Sequence, residues 1–233
     1  MGKPLTVTDA LNHTSTMEYD SSGNLSKVTD PLGSYSTMQY DNLSRMTQMT
    51  DAKGKSTLYN YDIMGRILSV TDPLGDVTNY GYGYDGKLSV VSDAKNQDIR
   101  YNYDNRGRLI KMTDQLGKVE TYTYDTSDRL TSLTDRKGQT TSYTYDIMDR
   151  ITRATYHDGS YTDYVYDAGG RLTTINDSIS GSISYTYTGT GCGSGCSSMP
   201  DKVASETTPL GMIDYTYDAI GRRTSMTVAG QPV

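Results

Sequence analysis

Apolar and polar side chains alternate along this chain over stretches of about six residues. Val119-Glu120-Thr121-Tyr122-Thr123-Tyr124 is an example. Each stretch is cut off by a short cluster of Asp, Gly, Pro, Ser or Asn. A period of two places residues i and i+2 on one face of an extended strand, and such clusters end strands in turns. Residues such as Arg108 to Thr113 are expected to form one strand, and Val119 to Tyr124 the next. Short turns at both ends force antiparallel neighbours. The pattern therefore predicts an all-β chain, a repetitive antiparallel β-hairpin ribbon with two strands per repeat. Strand twist would coil such a ribbon into a solenoid, a shell or a tube wall.

The alternation is itself repeated. Tyr recurs at 19, 40, 61, 82, 103, 124, 145, 166 and 187, in steps of 21, and again at 217 after an insertion of about nine residues. In full these are Tyr19, Tyr40, Tyr61, Tyr82, Tyr103, Tyr124, Tyr145, Tyr166, Tyr187 and Tyr217. Asp follows in eight repeats, as Asp20, Asp41, Asp62, Asp104, Asp125, Asp146, Asp167 and Asp218, whereas Gly83 and Thr188 stand in the other two. A second Tyr precedes the first by two residues from Tyr59 onward, and Met17 and Met38 hold that place earlier. Downstream come a Gly, a base and an aliphatic, as in Gly65-Arg66-Ile67 and Gly107-Arg108-Leu109. A second turn follows, as in Thr71-Asp72-Pro73-Leu74-Gly75. In both turns the Asp carboxylate is expected to cap backbone N–H groups, and Gly to accept a positive φ. The two Tyr of a repeat share a face, with aliphatics such as Leu109 and Leu130 expected between them. Such cross-strand pairs contribute roughly 0.2–1 kcal/mol each, and repetition sums them. Residues 1–233 then read as a single array of about ten repeats, with a Cys-containing insertion at about 188–206.

Composition agrees with strands that lack a thick dry core. Hydrophobic residues make up 34%, Phe and Trp are absent, and Tyr occurs 22 times. The formal charge is −6, and the 22 Lys and Arg are spread evenly, which argues against a nucleic-acid partner. No apolar run approaches the length of a membrane span, and the first residues form no apolar signal core.

The unit Tyr61-Asp62-Ile63-Met64-Gly65-Arg66-Ile67, and its copies at Tyr103 to Leu109 and Tyr217 to Arg222, resemble the RHS/YD-repeat family over nearly the whole chain. That family includes bacterial polymorphic toxins, insecticidal toxin-complex components, wall-associated proteins and teneurins. The resemblance implies a hollow β-shell, enclosing an effector in the toxins and closed by a core segment that self-cleaves through aspartates. No match to that closing segment is expected here, so the reading is shell wall. It implies a structural scaffold with no enzymatic activity and no cofactor, secreted or at the cell surface of a bacterium. Flanking repeats or a cargo polypeptide of the same protein would be its partners.

Other chemistry is sparse. Cys192 and Cys196 flank Gly193-Ser194-Gly195 and leave open a local disulfide, free thiols or half of a metal site. Two thiolates cannot close a tetrahedral zinc site without further ligands. His13 and His157 fall in or beside turns, with no nucleophile and acid spaced around them. The Asp-Pro-Leu-Gly turns lack the dense oxygen ligands of calcium loops. Rows of Tyr offer a stacking surface for glycans at a cell surface, a second reading of the array. Unpaired strand edges offer self-association into filaments or tubes, a third. The recurrent Arg reads as an ordinary surface partner of the Tyr-Asp carboxylate, contributing about 0–1 kcal/mol.

Overall fold

The structure, a computed structural model, describes residues 3–188 and 202–229. It divides into two compact units, Met1–Lys118 and Val119–Val233. Unit 1 holds β1 (Thr6–Thr8), β2 (Thr14–Tyr19), β3 (Leu25–Thr29), β4 (Tyr35–Tyr40), β5 (Met46–Thr50), β6 (Ser56–Tyr61), β7 (Ile67–Thr71), β8 (Val77–Tyr82), β9 (Leu88–Ser92), β10 (Asp98–Tyr103) and β11 (Leu109–Thr113). From β2 onward each pairs antiparallel with the strand before it. Unit 2 holds β12 (Val119–Tyr124), β13 (Leu130–Thr134), β14 (Thr140–Tyr145), β15 (Ile151–Thr155), β16 (Tyr161–Tyr166), β17 (Leu172–Asp177), β18 (Gly181–Tyr187), β19 (Val203–Thr208), β20 (Gly211–Tyr217) and β21 (Arg223–Val228). It is the same meander. No helix occurs among the described residues.

This is the hairpin ribbon that the 21-residue alternation predicts, with one boundary moved. Arg108 is the closing residue of a turn rather than the first of a strand, because its carbonyl accepts the Asp104 N–H at 3.0 Å. The same bond closes the equivalent turns at Asp41/Arg45 and Asp62/Arg66.

Registers fix the two faces. Tyr61 lies opposite Ile67 and Tyr59 opposite Val70, with a register shift between Asn60 and Tyr61. The bulge residue keeps both aliphatics on the Tyr face although they are three positions apart. The pairing recurs as Tyr82 with Leu88 in unit 1, and as Tyr145 with Ile151 in unit 2. The other face is polar and exposed at Glu18, Gln39, Asn60, Asn102, Thr123, Thr144 and Thr216.

Each unit is a single sheet layer. Among the described residues Ala154 is the one buried hydrophobic, at 4% exposure, and the buried polar ones are Thr162 and Ser205. The Tyr face is half-buried by its own neighbours, so stability resides in cross-strand pairs and turns rather than in a shared core. In sequence the insertion falls between β18 and β19. β18 and β19 pair through Tyr187 and Val203, while the preceding hairpin pairs Tyr166 with Leu172. Beyond the Tyr187–Val203 pair the Thr188 N–H donates to the Lys202 carbonyl at 2.8 Å.

Candidate functional site

The Tyr-Asp turns build a repeated cluster of three side chains. In Asp62, Oδ1 accepts the backbone N–H of Met64 and of Arg66, both at 2.9 Å, and Oδ2 accepts Arg66 Nε at 2.7 Å. Asp41, Asp104, Asp125, Asp146, Asp167 and Asp218 repeat all three bonds with Arg45, Arg108, Arg129, Arg150, Arg171 and Arg222. Asp20 accepts the backbone N–H and the side-chain amide of Asn24, which stands in place of Arg. The Gly four residues after the Tyr supplies positive φ, +84° at Gly65, where an L side chain is strained.

The arginine continues into the next repeat. The Arg66 guanidinium lies 4.3 Å from the centroid of the Tyr82 ring, and Arg150 lies 4.4 Å from Tyr166. Arg45, Arg129 and Arg171 cover Tyr61, Tyr145 and Tyr187 in the same way, and Lys3 and Lys87 cover Tyr19 and Tyr103. Arg45 and Arg129 also donate to the carbonyls of Asp62 and Asp146, at 2.9 and 3.1 Å. The Tyr reaches back. Tyr40, Tyr61 and Tyr82 donate their hydroxyls to the carbonyls of Leu25, Met46 and Ile67 at 2.8–2.9 Å. Tyr145, Tyr166, Tyr187 and Tyr217 do so to Leu130, Ile151, Leu172 and Val203. β3 and β4 pair only as far as Lys27 and Thr37, so the Leu25 carbonyl, beyond the ladder, is met by a side chain. Tyr124 lies opposite Leu130.

These contacts correct the expectation for the arginine. Arg45, Arg66, Arg108, Arg129, Arg150 and Arg171 are 18–30% exposed, because the carboxylate encloses the guanidinium, together with the ring described above at Arg45, Arg66, Arg129, Arg150 and Arg171; Arg222, at 76%, fits the surface reading. Sequence reasoning saw Arg beside Asp within a repeat. The link to the next repeat's Tyr, sixteen residues on, needed the hairpin register.

Electrostatics follow the geometry. The Arg45 and Arg66 backbone N–H groups, with help from the guanidinium, hold Asp41 and Asp62 below the usual carboxylate range. For Asp104, Asp146, Asp167 and Asp218 the side chain of the partner arginine leads. Burial pushes the Tyr61 and Tyr145 phenols up. Tyr122 is pushed up to about 12, by burial and then by its hydrogen bond to Glu120.

The remaining candidates stay apart. Cys192 and Cys196 lie outside the described residues. His13 Nδ1 pairs with Asp9 Oδ2 at 3.0 Å on an exposed turn, and His157 meets Gln139 at 3.2 Å. Among the described residues no group of three His, Cys, Asp or Glu could hold a metal ion. No helix among them is long and apolar enough to cross a membrane. The clusters form a lattice of charge-assisted turn contacts.

Comparison with known proteins fits this lattice. The profile of the family described as Teneurin YD-shell matches residues 2–135, and that of the RHS Repeat matches residues 124–161. No curated protein sequence matches the chain. The fold is similar to the crystal structure of TcdB2-TccC3-Cdc42, with a TM-score of 0.59 and 14% identity over 95% of this chain. It is likewise similar to TcdB2-TccC3-TEV and to the Tc holotoxin pore of Photorhabdus luminescens, each with a TM-score of 0.57 and 15% identity, over 93% and 95% of this chain. The chain covers 14% of each of those three.

Proposed function

This chain belongs to the teneurin YD-shell family, and from that premise we propose that it works as a length of wall in an RHS/YD-type β-shell. The wall is one array running through residues 1–233, and its Tyr face is turned toward a cargo polypeptide of the same protein. The setting is a secreted or surface-exposed bacterial protein, and the array itself carries out no reaction. The observation that carries the reading is the one-layer sheet with two unlike faces. A lone sheet with a Tyr and aliphatic face suits a partition that separates two environments. The solved structures with this fold include a toxin pore complex, which supports the same direction. The glycan reading draws less support, because cations cover the Tyr faces that a sugar ring would need.

Photo-crosslinking tests it, with the chain fused to a short unfolded polypeptide. A crosslinker replacing Met49 on the Tyr face should capture that polypeptide. One replacing Gln39, exposed on the polar face, should not. Equal capture from both faces would overturn the proposal.

A further inference from the structure

At the two middle positions of the Tyr-Asp turns the cap uses a backbone N–H and no apolar side chain, yet three successive turns of unit 1 place large apolar side chains there. Leu43 is 71% exposed, Ile63 and Tyr84 are fully exposed, and Met64 is 75% exposed. The next turn in unit 1 carries Asn105 and Arg106 at these positions, so within unit 1 the run of apolar tips ends there; Ile147, Met148 and Ile220 are exposed tips of the same kind in unit 2. The three turns adjoin. Arg45 donates to the Asp62 carbonyl, and Met64 and Tyr84 line one cleft of about 660 Å³ with Arg66 and Asp85. Gly83, standing where eight of the ten repeats carry the capping Asp, also lines that cleft.

We propose that this ridge, Leu43-Ile63-Met64-Tyr84, inserts into the surface of a zwitterionic phospholipid layer. Three features favour lipid over a second protein. The ridge is one sheet thick, ~10 Å, and its successive turns are ~10 Å apart, so its footprint is on the order of 200–300 Å². A stable protein interface takes about 800 Å² from each partner. The apolar groups are protruding tips rather than a flat patch, which suits side chains entering a soft interface. Tyr with its polar hydroxyl suits the headgroup level. The charges behind the tips cancel, with Asp41, Asp62 and Asp85 against Arg45, Arg66 and Lys87, each acid paired with its base. A neutral ridge on a chain of net charge −6 favours phosphatidylcholine over anionic lipid.

The chain contains no Trp, so Tyr84→Trp provides a single fluorescent probe on an exposed tip. With phosphatidylcholine vesicles, Tyr84→Trp should emit at shorter wavelength and float with the vesicles in a density gradient. Combining Ile63→Ser, Met64→Ser and Tyr84→Ser should lower vesicle partitioning by at least about tenfold, with an unchanged β spectrum by circular dichroism. Three results would overturn the proposal. Folded Tyr84→Trp protein stays in the aqueous fraction; or flotation survives the triple change; or the emission shift occurs without vesicles and grows with protein concentration, which gives the ridge to a second copy.

Discussion

At the residue scale, the Asp is the part of the site most legible in the sequence, because its chemistry is local. A carboxylate that accepts N–H groups two and four residues ahead needs no tertiary information. Asp177 carries this furthest: backbone N–H groups of Ser180 and Ile179, then the Ser180 and Thr162 hydroxyls, hold it down at about 2. A carboxylate depressed from 3.8 stabilises the fold fully above that pH, and the contribution is lost as pH falls toward 2. Acid unfolding followed by circular dichroism should therefore steepen below pH 3.8, and Asp177→Asn should flatten that slope while lowering stability at neutral pH. Identical acid profiles would contradict the linkage. The arginine was legible only in half, since its ring partner lies across a hairpin. A double-mutant cycle of Arg66→Gln and Tyr82→Leu, read by denaturant unfolding, should return a coupling of about 0.5–1 kcal/mol. A coupling indistinguishable from zero would make the stacking incidental.

At the scale of the element, the turns show how far residue chemistry specifies backbone. Most left-handed positions are Gly, but Ser44 adopts φ +60° and Asp149 φ +62° in the same slot. The spacing of four residues from the Tyr identifies the slot whatever occupies it. Ser44→Gly should raise stability by about 0.5–1 kcal/mol by removing the left-handed penalty. Gly65→Ser, at φ +84°, should lower it by a similar amount. The turn at Gly83 departs from the pattern in a way that sequence could flag but not resolve. A Cβ on Gly83 would meet Asp85 Oδ1 at 2.8 Å, because the Asp85 carboxylate fills the space of the missing cap and accepts the Lys87 N–H at 3.1 Å. Gly83→Asp should therefore destabilise the chain by itself. Joined to Asp85→Ser it should recover or exceed the original melting temperature. Additive effects of the two changes would show that the carboxylates do not compete for one place.

At the scale of the whole molecule, the single-layer character was foreshadowed by composition, with little aliphatic material and no Phe or Trp. What composition could not supply was the identity of the two faces, because the bulge before each Tyr shifts the period-two count by one residue. Leu25 and Val28 both face the Tyr side although they are three apart. The bulge makes the whole 21-residue repeat the unit that keeps side chains on their faces. A one-dimensional array of this kind should tolerate loss of a full unit and fail on loss of half. Removing residues 41–61 from unit 1 takes out two strands and two turns, and rejoins Tyr40 to Asp62, where a Tyr-Asp turn already belongs. Arg66 then pairs with Asp62 as before, and the Tyr40 ring succeeds Tyr61 in front of that turn. The product should keep a β spectrum and unfold cooperatively, with a denaturant slope reduced in proportion to the surface lost. Removing residues 51–61 takes out one strand with one turn, and joins β5 directly to a Tyr-Asp turn that belongs at the other edge. The downstream strands would then enter with reversed direction, so the Tyr face of the downstream repeats falls on the opposite side of the sheet from that of the upstream ones. That variant should be strongly destabilised or misfolded although it loses fewer residues. If the shorter deletion proved the more stable, packing rather than repeat register would be setting the fold.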